Sequence, residues 1–192
     1  ANNNFYVPNE DVSEAMRNIT TSYLMGSRAN VLFNGTLKDE PVKWKKVLSG
    51  KTRVFTACDV AFSIIVRRQY LTVVKAFMTN NIMTECAVSM NCYGLDWGKL
   101  YQHLTQFGTD RMIAGDYAAF DKNMPSGVIL AAFKVLDTLR GDISHTDRMI
   151  SRGIATDIAY PLTNMNGDVV QFFGGNSSGH PLTVIINSIA NS

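Results

Sequence analysis

Apolar positions recur at helical spacing along much of the chain. Between residues 9 and 25, Val12, Met16, Ile19 and Tyr23 fall on one stripe, with Asn9 placed as an N-cap and Gly26 as a stop. Residues 59–79 carry apolar side chains nearly all round, among them Phe62, Ile65, Tyr70, Val74 and Phe77, which predicts a buried helix capped by Asp59. Arg67 and Arg68 interrupt it; they snorkel, or face a phosphate path. Asp96 heads a helix with Trp97, Leu100, Leu104 and Phe107, stopped by Gly108. Pro125 suits a first helical position ahead of Ile129, Ala132, Phe133 and Leu136, and Gly141 closes that helix. Further helices are expected over about 146–158 and from Pro181 onward, the latter burying Leu182, Ile185, Ile186 and Ile189.

Shorter runs predict strands. Residues 31–33 precede an Asn34-Gly35 turn. A basic hairpin is expected over 38–57, from strands at 42–47 and 52–57 about Ser49-Gly50. Residues 112–114 form a short apolar run leading into Gly115-Asp116. Residues 160–163 and 169–173 pair around Asn164-Met165-Asn166-Gly167. Helices and strands together predict an α+β fold. Residues 82–95 follow neither period.

Composition narrows the class. A 46% hydrophobic chain of 192 residues supports a core. A net charge of +2 excludes a polybasic tail, though a local patch remains open. Cys58, Cys86 and Cys92 are odd in number and form no Cys-x-x-Cys, so neither a disulfide framework nor a zinc site is indicated. His103, His145 and His180 are scattered. No signal peptide opens the chain, and no apolar run reaches the length of a membrane span. Asn2-Asn3-Asn4 is the single low-complexity run.

Two stretches carry candidate chemistry. In the first, residues 111–125 read as strand, acidic turn and helix, with Asp116 and Asp121 in the turn. A carboxylate on such a mount can hold a hard cation, and it can equally serve as a turn or cap residue. In the second, the loop 174–179 (Gly-Gly-Asn-Ser-Ser-Gly) feeds a helix on which Thr183 and Asn187, four apart, share a face. A glycine loop lets backbone approach a ligand closely. Residues 38–53 add Lys38, Lys43, Lys45, Lys46, Lys51 and Arg53 against two acids. That unit reads either as a solvated edge guarded by lysines or as a phosphate-facing finger.

Taken in order, these residues resemble the viral RNA-dependent RNA polymerases of the picorna-like group, closest to marnavirus-like and dicistrovirus-like enzymes. Asp116-Tyr117-Ala118-Ala119-Phe120-Asp121 is similar to their motif A. Ser178-Gly179-His180-Pro181-Leu182-Thr183, with Asn187, is similar to motif B. Lys38-Asp39-Glu40 with Gly50-Lys51-Thr52-Arg53 resembles motif F, and Cys92-Tyr93-Gly94-Leu95-Asp96-Trp97 resembles the linking sequence. Three ordered motifs over nearly the whole chain make the likeness specific.

The resemblance implies a right-hand polymerase fold: a fingers portion over 1–108, and over 109–192 a partial palm with motif A at 116–121 and motif B at 174–187. It implies that Asp116 binds the catalytic Mg²⁺ (or Mn²⁺). Asp121, Thr183 and Asn187 would check the ribose 2′-hydroxyl. Lys38, Lys46, Lys51 and Arg53 would lie over the incoming triphosphate, and Ser178 and Gly179 in a loop touching template and nucleotide. The implied partners are an RNA template and nascent strand, ribonucleoside triphosphates and other viral replication proteins. The implied location is the host cytoplasm, in membrane-associated replication complexes. The family's Gly-Asp-Asp hairpin has no counterpart in this sequence. The chain is therefore expected to be an inactive piece of a polymerase cut from a polyprotein, lacking the thumb. Two other readings stay open at this level: a reverse transcriptase-like nucleotidyl transferase, and a non-catalytic RNA-binding domain.

Overall fold

The computed structural model describes residues 7–192, so the Asn2-Asn3-Asn4 run lies outside the described residues. Helix α1 (Glu10–Leu24) starts where the Asn9 side chain accepts from the Val12 N–H at 3.0 Å. Gly26, at φ +74°, turns the chain out of it. Strand β1 (Leu32–Leu37) follows, and it corrects the first expectation: Asn34-Gly35 is no turn but the middle of the strand. The glycine serves a close approach instead. A Cβ on Gly35 would sit 2.7 Å from Met165 Sδ and 3.1 Å from the Asn164 carbonyl oxygen.

The stretch read as the hairpin's first strand is also different. Residues 44–48 form one helical turn, α2 (Trp44–Leu48), with no buried residue. Alternation drives strand formation only when one face is covered, and here neither is; a helical turn satisfies part of its own backbone. The strand β2 (Val54–Ala57) pairs antiparallel with β1, so the basic unit is a β1–β2 pair joined by a long exposed connection.

Helix α3 (Val60–Thr79) is capped by Asp59, whose carboxylate accepts from the Ala61 N–H at 2.7 Å. It buries one face (Phe62, Ile65, Val66, Tyr70, Val73, Phe77), while Leu71, Arg67 and Arg68 face out. Helix α4 (Leu95–Leu104) is capped by Gly94 rather than Asp96, ends before Gly108, and has no buried residue. No strand forms at 112–114: residues 111–119 are exposed, Ile113 completely, and no neighbour pairs with them among the described residues. A short turn, α5 (Phe120–Asn123), leads through Pro125, which is the cap and not the first residue, into α6 (Ser126–Leu139). Helix α7 (His145–Ala159) is capped by Ser144. Strands β3 (Leu162–Met165) and β4 (Asp168–Gln171) meet at Asn166-Gly167, both at positive φ as a type I′ hairpin requires. Helix α8 (Thr183–Asn191) completes the order.

One sheet runs β2-β1-β3-β4, parallel between β1 and β3 and antiparallel elsewhere. Strands from both sides of residue 108 are thus bonded into a single sheet. Helices α1, α3, α6, α7 and α8 pack into the core, with α1 against α3 and α7, and α6 against α7 and α8. Phe33 reaches from the sheet to Phe62 in an edge contact of 6.0 Å, and Tyr70 meets Phe133 at 5.6 Å.

One buried charge ties α1 to α7. The Asp157 carboxylate, wholly buried, accepts from Tyr23 Oη at 2.7 Å and from Arg28 Nε at 2.8 Å. Burial, and then the neighbouring carboxylate, pushes the Tyr23 phenol far above its ordinary pKa, so it stays a donor. Gly153 makes room for that ring: a Cβ there would lie 2.1 Å from Tyr23 Cδ1. Gly153→Ala should therefore destabilise the protein by about 2 kcal/mol, although alanine is the better helix former by ~1 kcal/mol. Thermal unfolding followed by circular dichroism checks this. An unchanged or raised midpoint would mean that Tyr23 swings aside freely.

Candidate active site

The site is assembled around the loop 174–179. Its first residues are tied by backbone bonds to two distant segments. The Gly174 N–H donates to the Ala159 carbonyl at 3.0 Å, Gly175 to Met124 at 2.8 Å and Asn176 to Asp121 at 2.7 Å. Gly174 and Gly175 hold φ of +103° and +81°, and a Cβ on Gly174 would meet the Met124 carbonyl oxygen at 2.6 Å. The other end of the loop lies along β2. Ser178 and Thr56 bond reciprocally: the Thr56 N–H donates to Ser178 Oγ at 3.1 Å, and the Ser178 N–H to Thr56 Oγ1 at 3.2 Å. Gly179 bridges Ala57 in parallel, and a Cβ on it would stand 2.2 Å from the Thr56 carbonyl oxygen.

This docking closes a cleft of ≈ 700 Å³ whose walls come from three regions: Lys38 and Arg53; Tyr117 and Asp121; Ser178, Thr183 and Asn187. Glu40 spans the two basic residues, with Lys38 Nζ at 3.1 Å and Arg53 Nη1 at 3.5 Å. The Lys38 hydrogen bond, aided by the charges of Lys38 and Arg53, holds the Glu40 carboxyl below its usual range. These pairs are open to solvent and weak, so another anion can compete for both cations. Lys46, on α2, and Lys51, just after it, are exposed and are not among the cleft-lining residues. Nor is Asp116, which sits in the exposed 111–119 segment. Asp121 is half-buried in the first turn of α5.

Behind the cleft runs a buried polar chain that the sequence reading did not single out. Asn176 Nδ2 donates to the Thr183 carbonyl at 2.9 Å and to Asn187 Oδ1 at 2.7 Å. Asn176 Oδ1 lies 2.8 Å from His180 Nε2, and His180 Nδ1 accepts from the Leu182 N–H at 3.2 Å. The one signal in the sequence was an amide four residues before a histidine at the mouth of an apolar helix, which reads equally as turn chemistry. Thr183 uses its hydroxyl proton on backbone, facing the carbonyls of Ser177 at 2.7 Å and His180 at 2.9 Å, so it can offer the cleft only an acceptor. Among the described residues no three His, Cys, Asp or Glu side chains gather as a metal cluster. The hard oxygens of Asp116 suit Mg²⁺ or Mn²⁺ as a single protein ligand, the rest being left to other carboxylates, water or phosphate oxygens.

The family description "Viral RNA-dependent RNA polymerase" matches residues 7–192. The chain belongs to this polymerase family. Among curated relatives, this chain is 31% identical over 190 residues to the replicase polyprotein of Cricket paralysis virus, covering 95% of the chain and 10% of that protein. It is 33% identical over 188 residues to the replicase polyprotein of Acute bee paralysis virus (97% and 10%), and 35% identical over 168 residues to the RNA1 polyprotein of Cherry rasp leaf virus (81% and 7%). The chain thus spans a tenth or less of these relatives. A solved Sicinivirus 3Dpol RNA dependent RNA polymerase superposes with a TM-score of 0.79 at 19% identity, over 100% of this chain and 38% of that one. The expected polymerase fold is therefore observed, as a partial polymerase domain, over the described residues.

The buried polar chain gives the protein a pH signature. Burial pushes His180 down to about 3. The unfolded chain binds a proton near 6.5 that the folded one refuses, so stability is full above pH 6.5 and falls as pH drops towards 3. The loss from this group is about 1.4 kcal/mol per pH unit within that window. His180→Gln should flatten this acid limb. Unfolding free energies of both proteins between pH 4.5 and 7 check it; parallel curves would mean that His180 is not held neutral.

Proposed function

We propose that this chain forms the nucleotide-entry part of an RNA-directed RNA polymerase, which joins ribonucleoside triphosphates to a nascent strand on an RNA template in viral RNA replication. The observation that carries the reading is the single cleft in which Lys38 and Arg53, Asp121, and Thr183 and Asn187 meet from separate parts of the chain. Family membership supports the chemistry. The polyprotein relatives support a place among other viral replication proteins; the setting proposed for it is membrane-associated complexes of the host cytoplasm. No helix among the described residues is long and apolar enough to cross a membrane itself.

On this reading the walls divide the nucleotide between them. Lys38 and Arg53 take the triphosphate, whose oxygens compete with Glu40 for the same cations; an arginine fork suits a phosphate. Lys46 and Lys51 add positive charge to the same unit. Asp121 and Asn187 take the sugar, since a 2′-hydroxyl both donates and accepts. Ser178 and Gly179, in the loop pressed on β2, support template and nucleotide. Asp116 contributes one carboxylate to the ion site. Divalent ions, when bound, would offset charge on the triphosphate in a two-metal transfer. Residues 1–192 by themselves then lack the full ion site.

Two experiments on the full-length polymerase test this. Arg53→Ala should lower kcat/KM for nucleotide addition by about 10²-fold, with Lys51→Ala falling less. Wild-type kinetics in both would leave the basic unit a solvated edge. Asn187→Ala should cost more with ribonucleotides than with 2′-deoxyribonucleotides, because a site built for a hydroxyl loses its preference when a partner goes. Asp116→Ala should abolish both. Equal falls for the two sugars in Asn187→Ala would reassign Asn187 to packing.

A further inference from the structure

The polar chain behind the cleft has a direction, and both of its ends are set by groups that cannot reverse. At one end the Leu182 N–H can only donate, so His180 Nδ1 must accept and the ring proton must sit on Nε2. At the other end the Thr183 carbonyl can only accept, so the atom of Asn176 facing it must be the amide nitrogen. The two constraints agree. They leave Asn176 Oδ1 to accept from His180 Nε2–H, and the second Asn176 N–H to meet Asn187. Asn187 must then present its carbonyl oxygen inward, at 2.7 Å, which leaves its own NH₂ group for the cleft.

The backbone of the same residue reaches the other wall. The Asn176 N–H donates to the Asp121 carbonyl at 2.7 Å, within the turn that carries the Asp121 carboxylate. Asn176 is 2% exposed and His180 5%, so water cannot replace these bonds without opening the loop. A free asparagine amide can flip at little cost. Here a flip of Asn187 would set its NH₂ group against that of Asn176, donor against donor.

We propose that Asn176 is a positioning residue for sugar selection, with His180 as its tautomer lock: together they fix Asn187 with its amide NH₂ towards the cleft and hold Asp121 opposite as the acceptor. This rests on the ribose-checking reading of the cleft. It adds that the selecting donor is set from behind, by residues that never touch the nucleotide. Burial of His180, which keeps the ring neutral, works in the same direction.

The test is a double-mutant cycle in the full-length polymerase. Its readout is the ratio of kcat/KM for a ribonucleotide to that for the matching 2′-deoxyribonucleotide. Asn176→Ala should lower the ratio about tenfold, the scale of one misplaced hydrogen bond. In an Asn187→Ala background, Asn176→Ala should leave the ratio where Asn187→Ala alone put it, because its effect passes through Asn187. A merely structural role would reduce both sugars equally and leave the ratio unmoved. Deoxynucleotide incorporation serves as the control for folding. If Asn176→Ala abolishes all incorporation, His180→Gln and His180→Phe decide. Glutamine can donate to Asn176 and accept from the Leu182 N–H, so it should keep the ratio within about twofold, whereas phenylalanine should lower it. Equal ratios in that pair would overturn the proposal. So would a ratio that falls in Asn187→Ala but not in Asn176→Ala, with the ribose reading left standing. An unchanged ratio in Asn187→Ala would overturn both.

Discussion

The arrangement depends on the backbone of one glycine loop. Between Gly174 and Gly179 the chain bonds to the end of α7, to Asp121 within α5 and Met124 at its C-cap, and to the edge strand β2. Each contact is backbone to backbone or involves a short side chain, which is why glycine recurs. At Gly174 and Gly179 a methyl group would fall inside the van der Waals distance of a carbonyl oxygen. The loop thus brings three segments together: a basic strand pair, an acidic turn and a polar helix face. It also bridges one residue of the free edge of β2 and partly shields an edge otherwise open to pairing.

Elements with their own local determinants were legible in the sequence. Asn9 and Asp59 cap helices through side-chain bonds to the next turn, and Asn166-Gly167 takes the left-handed pair of conformations a tight hairpin needs. Elements decided by a distant partner were not. Asn34-Gly35 has turn composition, yet β2 and β3 on either side supply the ladder that keeps it extended. The alternation at 42–47 had no partner to bury it. The apolar run at 112–114 has none among the described residues either, and it lies exposed and without regular structure. For such segments pairing decides the conformation, and pairing is not written locally.

The site was legible in its parts and not in its support. The motif resemblance singled out Asp121, Thr183, Asn187, Lys38 and Arg53, which the fold brings to one cleft, and Asp116, Lys46 and Lys51, which do not line it. It gave no hint that Thr183 spends its proton on backbone, nor that Asn176 and His180 are buried. Loop composition suggests exposure, and a glycine-rich, hydroxyl-rich stretch reads as solvated. Here the loop packs under its own helix entry, and its asparagine is among the least exposed polar residues of the chain.

The two aspartates of the acidic turn are separated by a single backbone feature. Ala119 adopts φ +51° and ψ +44°, a left-handed conformation that costs a non-glycine residue roughly 1–2 kcal/mol. Its carbonyl accepts from the N–H groups of Lys122 and Asn123 at 3.0 Å each, so the turn of α5 offsets the strain. The reversal sends Asp121 inward, where its backbone oxygen meets Asn176, and leaves Asp116 on the exposed stretch before it. An extended or right-handed Ala119 would carry the chain past the loop. The Asp121–Asn176 bond would be lost, and with it the alignment of the acidic wall with Asn187. Glycine at 119 would relieve the strain but would also widen the choice of conformations before folding, so alanine there gives up local comfort for a single fixed direction.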